Sequence, residues 1–248
     1  MTDRLVMWDF DGTLAFRPGL WSGCVMEVLE ARNLAHRVAV ARVRAGLQGS
    51  FPWHRADQPH PHPGDPERWW EAVEALITDA LVGAGVERAE GTELARATRA
   101  RFIDPTVGWQ VFDDAIPALT AVAEAGWTNV VVSNHVPELA SLVSGMGLEA
   151  HFDRVFTSAL VGFDKPNPEF FHHVLRAYED PDEVWMVGDN PMADVAGAEA
   201  VGHEAILVRT SAPDVRHCTP GLAEAAEIIL GSSRPARVIR SPQTTDLA

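Results

Sequence analysis

Short apolar runs recur along the chain, and each ends in a polar cluster. Leu5-Val6-Met7-Trp8 runs into Asp9-Phe10-Asp11-Gly12-Thr13, Asn129-Val130-Val131-Val132 into Ser133-Asn134-His135, and Glu183 to Val187 into Gly188-Asp189. Runs of this length without polar alternation predict strands covered on both faces. Arg154 to Phe156 and Ala205 to Val208 predict two more. Helices are predicted from Ala115 to Ala125, Pro137 to Met146, Asn167-Pro168 to about Tyr178, Ala193 to Ala200 and Leu222 to Leu230. Strands alternating with helices imply parallel pairing and right-handed crossovers.

One stretch breaks the alternation. From 16 to 108 the apolar positions fall at helical spacing, over Leu20 to Asn33, Pro66 to Gly83 and Glu87 to Phe102. Asp65-Pro66 supplies a capping carboxylate followed by proline at the first helical position. Residues 49–64 form a proline-rich loop with neither period. The expected fold is therefore α/β, a Rossmann-like parallel sheet core (1–15 and 109–230) with an inserted all-helical cap domain (16–108). Residues 231–248, polar and rich in Ser, Pro and Arg, read as a flexible tail.

Composition narrows the partners. The chain has 248 residues, 46% of them hydrophobic, enough for a sizeable core. Lys plus Arg is 20 and Asp plus Glu 35, a net charge of −15, which disfavours nucleic acid and anionic membrane as partners. Cys24 and Cys218 stand far apart and outside any CxxC pattern, so reduced thiols are expected. No apolar run is long enough for a secretory signal or a membrane span, and a cytoplasmic location is expected. Oligomeric state, monomer or dimer, is left open.

Ligands of an open parallel sheet bind beyond the carboxyl ends of its strands. The polar residues there are Asp9, Asp11, Ser133 and Asp189, joined by Lys165 before a capped helix and by Asp194. Carboxylates converging on one point repel each other and call for a cation. An all-oxygen set suits Mg²⁺ and, with a lysine and a hydroxyl donor, phosphoryl chemistry.

Asp9-Phe10-Asp11-Gly12-Thr13-Leu14, Ser133, Lys165-Pro166 and Gly188-Asp189-Asn190-Pro191-Met192-Ala193-Asp194 resemble the four motifs of the haloacid dehalogenase-like hydrolase superfamily, nearest its phosphoglycolate phosphatase-like branch. The likeness runs from about Leu5 to Leu230, and 16–108 matches the cap many members insert after the first motif. The resemblance implies a Mg²⁺-dependent phosphatase of a small phosphorylated metabolite. Asp9 is then the nucleophile that forms an aspartyl-phosphate. Asp11 is the general acid and base. Ser133 and Lys165 hold the phosphoryl group. Asp9, the Asp11 backbone carbonyl and Asp189 bind the metal, with Asn134, Gly188, Asn190 and Asp194 in support. An acid at position 11 disfavours 2-haloacid dehalogenase chemistry. Phosphomutase or phosphotransferase activity through the same aspartyl-phosphate is the main alternative, and a non-catalytic binding protein a distant one.

Specificity is expected in the insertion, where Arg17, Trp21, Trp53, His54 and Arg55, with His135 from the core, are candidate substrate contacts. Trp69 and Trp70 read as packing residues. His60 and His62, in an HPHP loop without further ligand residues, read as exposed loop histidines.

Overall fold

A computed structural model describes residues 4–49, 51–179 and 181–232. Eight strands and ten helices follow in chain order: β1 (Arg4–Trp8), β2 (Ala15–Phe16), α1 (Leu20–Ala31), α2 (Val40–Leu47), α3 (Pro66–Gly83), α4 (Arg88–Phe102), β3 (Gln110–Val111), α5 (Ala115–Glu124), β4 (Thr128–Ser133), α6 (Leu139–Gly145), β5 (Arg154–Thr157), α7 (Ser158–Val161), α8 (Pro168–Arg176), β6 (Glu183–Gly188), α9 (Gly197–Ala200), β7 (Glu204–Val208), β8 (Cys218–Thr219) and α10 (Leu222–Ser232).

Six strands form one parallel sheet in the order β5-β4-β1-β6-β7-β8. The period-two alternation of each strand divides the core. Val6, Trp8, Val131, Val187 and Ile206 pack on one side with α5, α10 and the inserted helices. Leu5, Met7, Val130, Val132, Met186 and Leu207 pack on the other with Phe170, Phe171 and Val174 of α8. The α/β, Rossmann-like architecture is thus the one the sequence implies.

The insertion leaves and re-enters the core through an antiparallel pair, β2 with β3. Its helices bury Trp21, Cys24, Trp70, Ile77, Leu81 and Phe102 among themselves. Asp65 caps α3 through Arg68 N, 3.1 Å, with Pro66 at the first helical position.

The sequence reading lacks four small features among the described residues: α2, α7, the β2–β3 pair and β8. The first has alternating arginines that blur its period, and the others are a four-residue helix and two-residue strands below the reach of periodicity. α10 runs to Ser232, so the first two residues of the expected tail are helical; the rest of it, 233–248, lies outside the described residues. Among the described residues no helix is long and apolar enough to cross a membrane.

Candidate active site

The carboxyl ends of β1, β4 and β6 lie side by side because these strands are sheet neighbours. That adjacency gathers Asp9 and Asp11, Ser133 to His135, and Asp189 around one cavity of about 390 Å³, with Lys165 and Asp194 in its wall. The backbone at the end of β1 is fixed by Asp9 N donating to Val187 O, 2.9 Å.

Lys165 is the centre of the network. Its ammonium donates to Asp9 Oδ1 (2.9 Å), Asp194 Oδ1 (2.6 Å) and Val132 O (2.7 Å), and the side chain is almost fully buried. Burial works against the charge, but Asp194 and Asp9 outweigh it and hold the lysine pKa above its ordinary value. Burial pushes Asp194 up to about 6, opposed by Lys165, so at neutral pH the pair remains ionic. Asn134 holds the lysine's backbone from both sides, donating to Lys165 O (2.8 Å) and accepting from Lys165 N (2.7 Å).

Two glycines are needed by close approach. A Cβ on Gly188 would stand 2.1 Å from Asp194 Oδ2, and one on Gly12, at φ +83°, would stand 2.3 Å from Asp189 Oδ2. Asn190 caps the turn after β6, accepting from Met192 N and Ala193 N at 3.0 Å each, while its own N–H donates to Asp194 Oδ2, 2.9 Å.

Asp9, Asp189 and Asp194 each bring one carboxylate oxygen within 4.8 Å of the other two. Burial, Asp9 and Asp194 push Asp189 up to about 7. Asp11 keeps some surface toward the cavity, but burial, Asp9 and Asp189 hold its carboxyl well above the carboxylate range. Such a set fits a hard divalent cation: all donors are oxygens, and the strain among them is relieved by positive charge. Both oxygens of Asp194 are already committed to Lys165 and Asn190, which leaves Asp9 and Asp189 as the side chains with capacity for a metal.

The insertion supplies the opposite wall with Trp21, Arg44, Phe51, Trp53 and His54. Trp21 stacks on Phe102 (3.9 Å, 7°) and Phe51 on Trp53 (4.5 Å, 5°), with Trp21 and Phe51 5.0 Å apart. His135 lies between Phe10, Phe102 and Trp109, and burial lowers its pKa to about 4, so it is neutral.

Three expectations give way to different placements. Arg17 does not reach the cavity. It is buried at the hinge, where its guanidinium donates to Val107 O and to Glu27 (2.5 Å), and Glu27 also accepts from Arg101 (2.6 Å). It ties the start of the insertion to α1 and to the loop before β3 instead. Arg55 lines a separate cavity, and Arg44 is the arginine of the insertion that lines the cavity at the strand ends. His60 is buried and bonds Asp164 (2.7 Å), because the proline-rich loop folds down onto the segment before Lys165; its N–H also donates to Gly162 O, 2.8 Å. His62 is exposed as expected. Arg44 carries no sequence signal beyond one charge among the arginines of α2, whereas His54 lies beside Trp53 on the cavity wall, as expected.

This sheet, with its carboxylates and lysine at the strand ends, defines a hydrolase of the haloacid dehalogenase-like class. The family model for haloacid dehalogenase-like hydrolase matches residues 4–202, and the chain belongs to that family. It is 34% identical over 221 residues to the mouse haloacid dehalogenase-like hydrolase domain-containing protein 3, covering 85% of this chain and 83% of that protein. It is also 34% identical over 152 residues to a phosphoserine phosphatase of Thermus thermophilus, covering 60% and 59% of the two chains. In fold it matches the magnesium-bound HAD-hydrolase YfnB of Bacillus subtilis, with a TM-score of 0.72 at 20% identity over 92% of this chain and 99% of that one.

Proposed function

We propose that the protein is a Mg²⁺-dependent phosphatase of a small phosphorylated metabolite, acting through an aspartyl-phosphate on Asp9. The observation that carries this reading is Asp11, a carboxyl lining the cavity beside Asp9, whose pKa burial, Asp9 and Asp189 raise well above the ordinary carboxylate value. Hydrolysis of a phosphate ester needs such a group, because the departing alkoxide must be given a proton. Asp9 attacks phosphorus as the ester P–O bond breaks, and Asp11 donates its proton to the leaving oxygen. Asp11, now a carboxylate, takes a proton from the water that attacks phosphorus and releases Asp9 and inorganic phosphate. Lys165 and Ser133 hold the phosphoryl oxygens, and Asp194 and Asn134 fix Lys165. Asp9, Asp189 and the Asp11 backbone carbonyl would hold Mg²⁺, which neutralises phosphoryl charge when bound. The inserted helices act as the cap domain, and the cavity size limits the substrate to a small molecule. The phosphatase names among the relatives point the same way.

The test is phosphate release from a panel of phosphorylated metabolites with Mg²⁺ and with EDTA. Asp9→Asn should abolish release, and Asp11→Asn should lower turnover by about 10²- to 10⁴-fold. Full hydrolysis by Asp11→Asn would overturn the assignment, as would transfer of phosphate to a sugar acceptor with little free phosphate.

A further inference from the structure

The inserted helices hold a second cavity, of about 730 Å³, that shares no lining residue with the catalytic one. The proline-rich loop divides them: Phe51, Trp53 and His54 face the catalytic cavity, and Pro52, Arg55 and Pro59 to His62 face the second. The far side of the second cavity is the α3 face carrying Trp69, Val73 and Leu76.

Its charges are one-sided. Arg55 and Arg68 line it exposed, and neither guanidinium has an ion-pair or hydrogen-bond partner among the described residues. The one carboxylate in the lining, Asp79, is held by Arg88 at 3.0 Å. A cationic cavity in a chain of net charge −15 draws anions out of an otherwise repelling field. Two lining residues, Trp69 and His60, also keep a buried polar atom, the indole N–H and Nδ1, without a partner among the described residues, a state native proteins rarely leave unanswered. Between these groups the surface is apolar: Val73, Leu76 and the rings of Pro52, Pro59 and Pro61.

We propose that this cavity is a non-catalytic binding site for a small organic anion with a flat apolar body. The body lies between the α3 face and the prolines, and the carboxylate or phosphate sits against Arg55 and Arg68. Apolar walls with a few convergent polar groups are the usual make-up of a ligand site, and guanidinium is the cation best matched to such anions. The site is independent of the reaction at Asp9.

Calorimetric titration of the full chain with naphthalene-2-carboxylate tests it. One-site binding is expected, weakened at least about tenfold in Arg55→Gln/Arg68→Gln and unchanged in Arg44→Gln. Leu76→Trp, which fills the cavity, should also remove it. Both Arg55 and Arg68 are exposed, so the double variant should keep the wild-type melting temperature and phosphate release. No heat of binding up to about 5 mM overturns the proposal. So does weakening by Arg44→Gln but not by the double variant, which would put the probe in the catalytic cavity.

Discussion

The two walls of the cavity at the strand ends are built by different physics. The core wall is a buried ionic network in which each charge needs the others: Lys165 answers Asp9 and Asp194, and Asp194 is held again by Asn190. The wall from the insertion is a set of stacked rings, Trp21 on Phe102 and Phe51 on Trp53, with Arg44 beside it. Buried ion networks have one geometry that satisfies them and lose much when a member is removed. Stacked rings tolerate exchange of one apolar group for another. On the proposed function, the core wall serves one chemistry, and the insertion can change its substrate while the chemistry stays.

The largest effect should come from breaking the core wall at its centre. Lys165→Met leaves Asp9 and Asp194 facing each other without a cation, which should cost about 3–5 kcal/mol of stability. It should also abolish turnover. Chemical denaturation and a phosphate-release assay on one preparation read both. A variant that keeps wild-type stability would contradict the ionic account of the network.

Gly188→Ala is a milder break. The added methyl would meet the Asp194 carboxylate, so the two must move apart, at a cost of about 1–3 kcal/mol for overpacking. Turnover should fall while binding of substrate changes little, because Asp194 touches Lys165 and not the leaving group. Wild-type kcat in this variant would show that the position of Asp194 is immaterial.

The metal sharpens the contrast through pH. Asp189, pushed up to about 7 from an ordinary 3.8, takes up a proton on folding when no cation is present. Its contribution to stability is thus complete below about pH 4 and is lost as pH rises through about 7. Mg²⁺ would take the proton's place, so the gap in melting temperature between Mg²⁺ and EDTA should widen from pH 5 to pH 8. A gap that stays constant or narrows would remove Asp189 from the metal set. Nothing comparable is expected of Asp189→Asn, which has no proton to exchange.

Legibility in the sequence follows the same division. Asp9, Ser133 and Asp189 of the core wall could be read because they sit at strand ends, and strand ends are where apolar runs stop, whereas Lys165 and Asp194 were legible through the motifs they belong to. Val132 ends a run and Ser133 to His135 follow; Val187 ends another and Gly188-Asp189 follow. Position along the chain therefore reported position in the site. The insertion offers no such rule. The sequence points to Arg17 and Arg55 and passes over Arg44, since a charge in a hinge, loop or helix does not say which cavity it will line. His60 was misplaced for the same reason. Its partner Asp164 is 104 residues away, and only the folding of the proline-rich loop onto the core brings them together.

The smallest effect should come from the wall made by the insertion. Arg44 lines the cavity and has no ion-pair partner among the described residues, so it is available to a substrate and its loss strands no buried carboxylate. Arg44→Gln should leave folding and kcat near wild type, because the lysine network does not touch it. A substrate with a second anionic group should lose about tenfold in kcat/KM, through KM, corresponding to about 1.4 kcal/mol. A substrate whose leaving group is neutral should be unaffected, and that pair of substrates makes the variant informative. If both lose equally through kcat, Arg44 acts on the phosphoryl group and the two walls are not separable. If only the anionic substrate weakens, charge recognition resides in the insertion and the reaction in the core, and replacing Trp21 or Trp53 with smaller apolar residues should then shift preference among leaving groups without altering turnover.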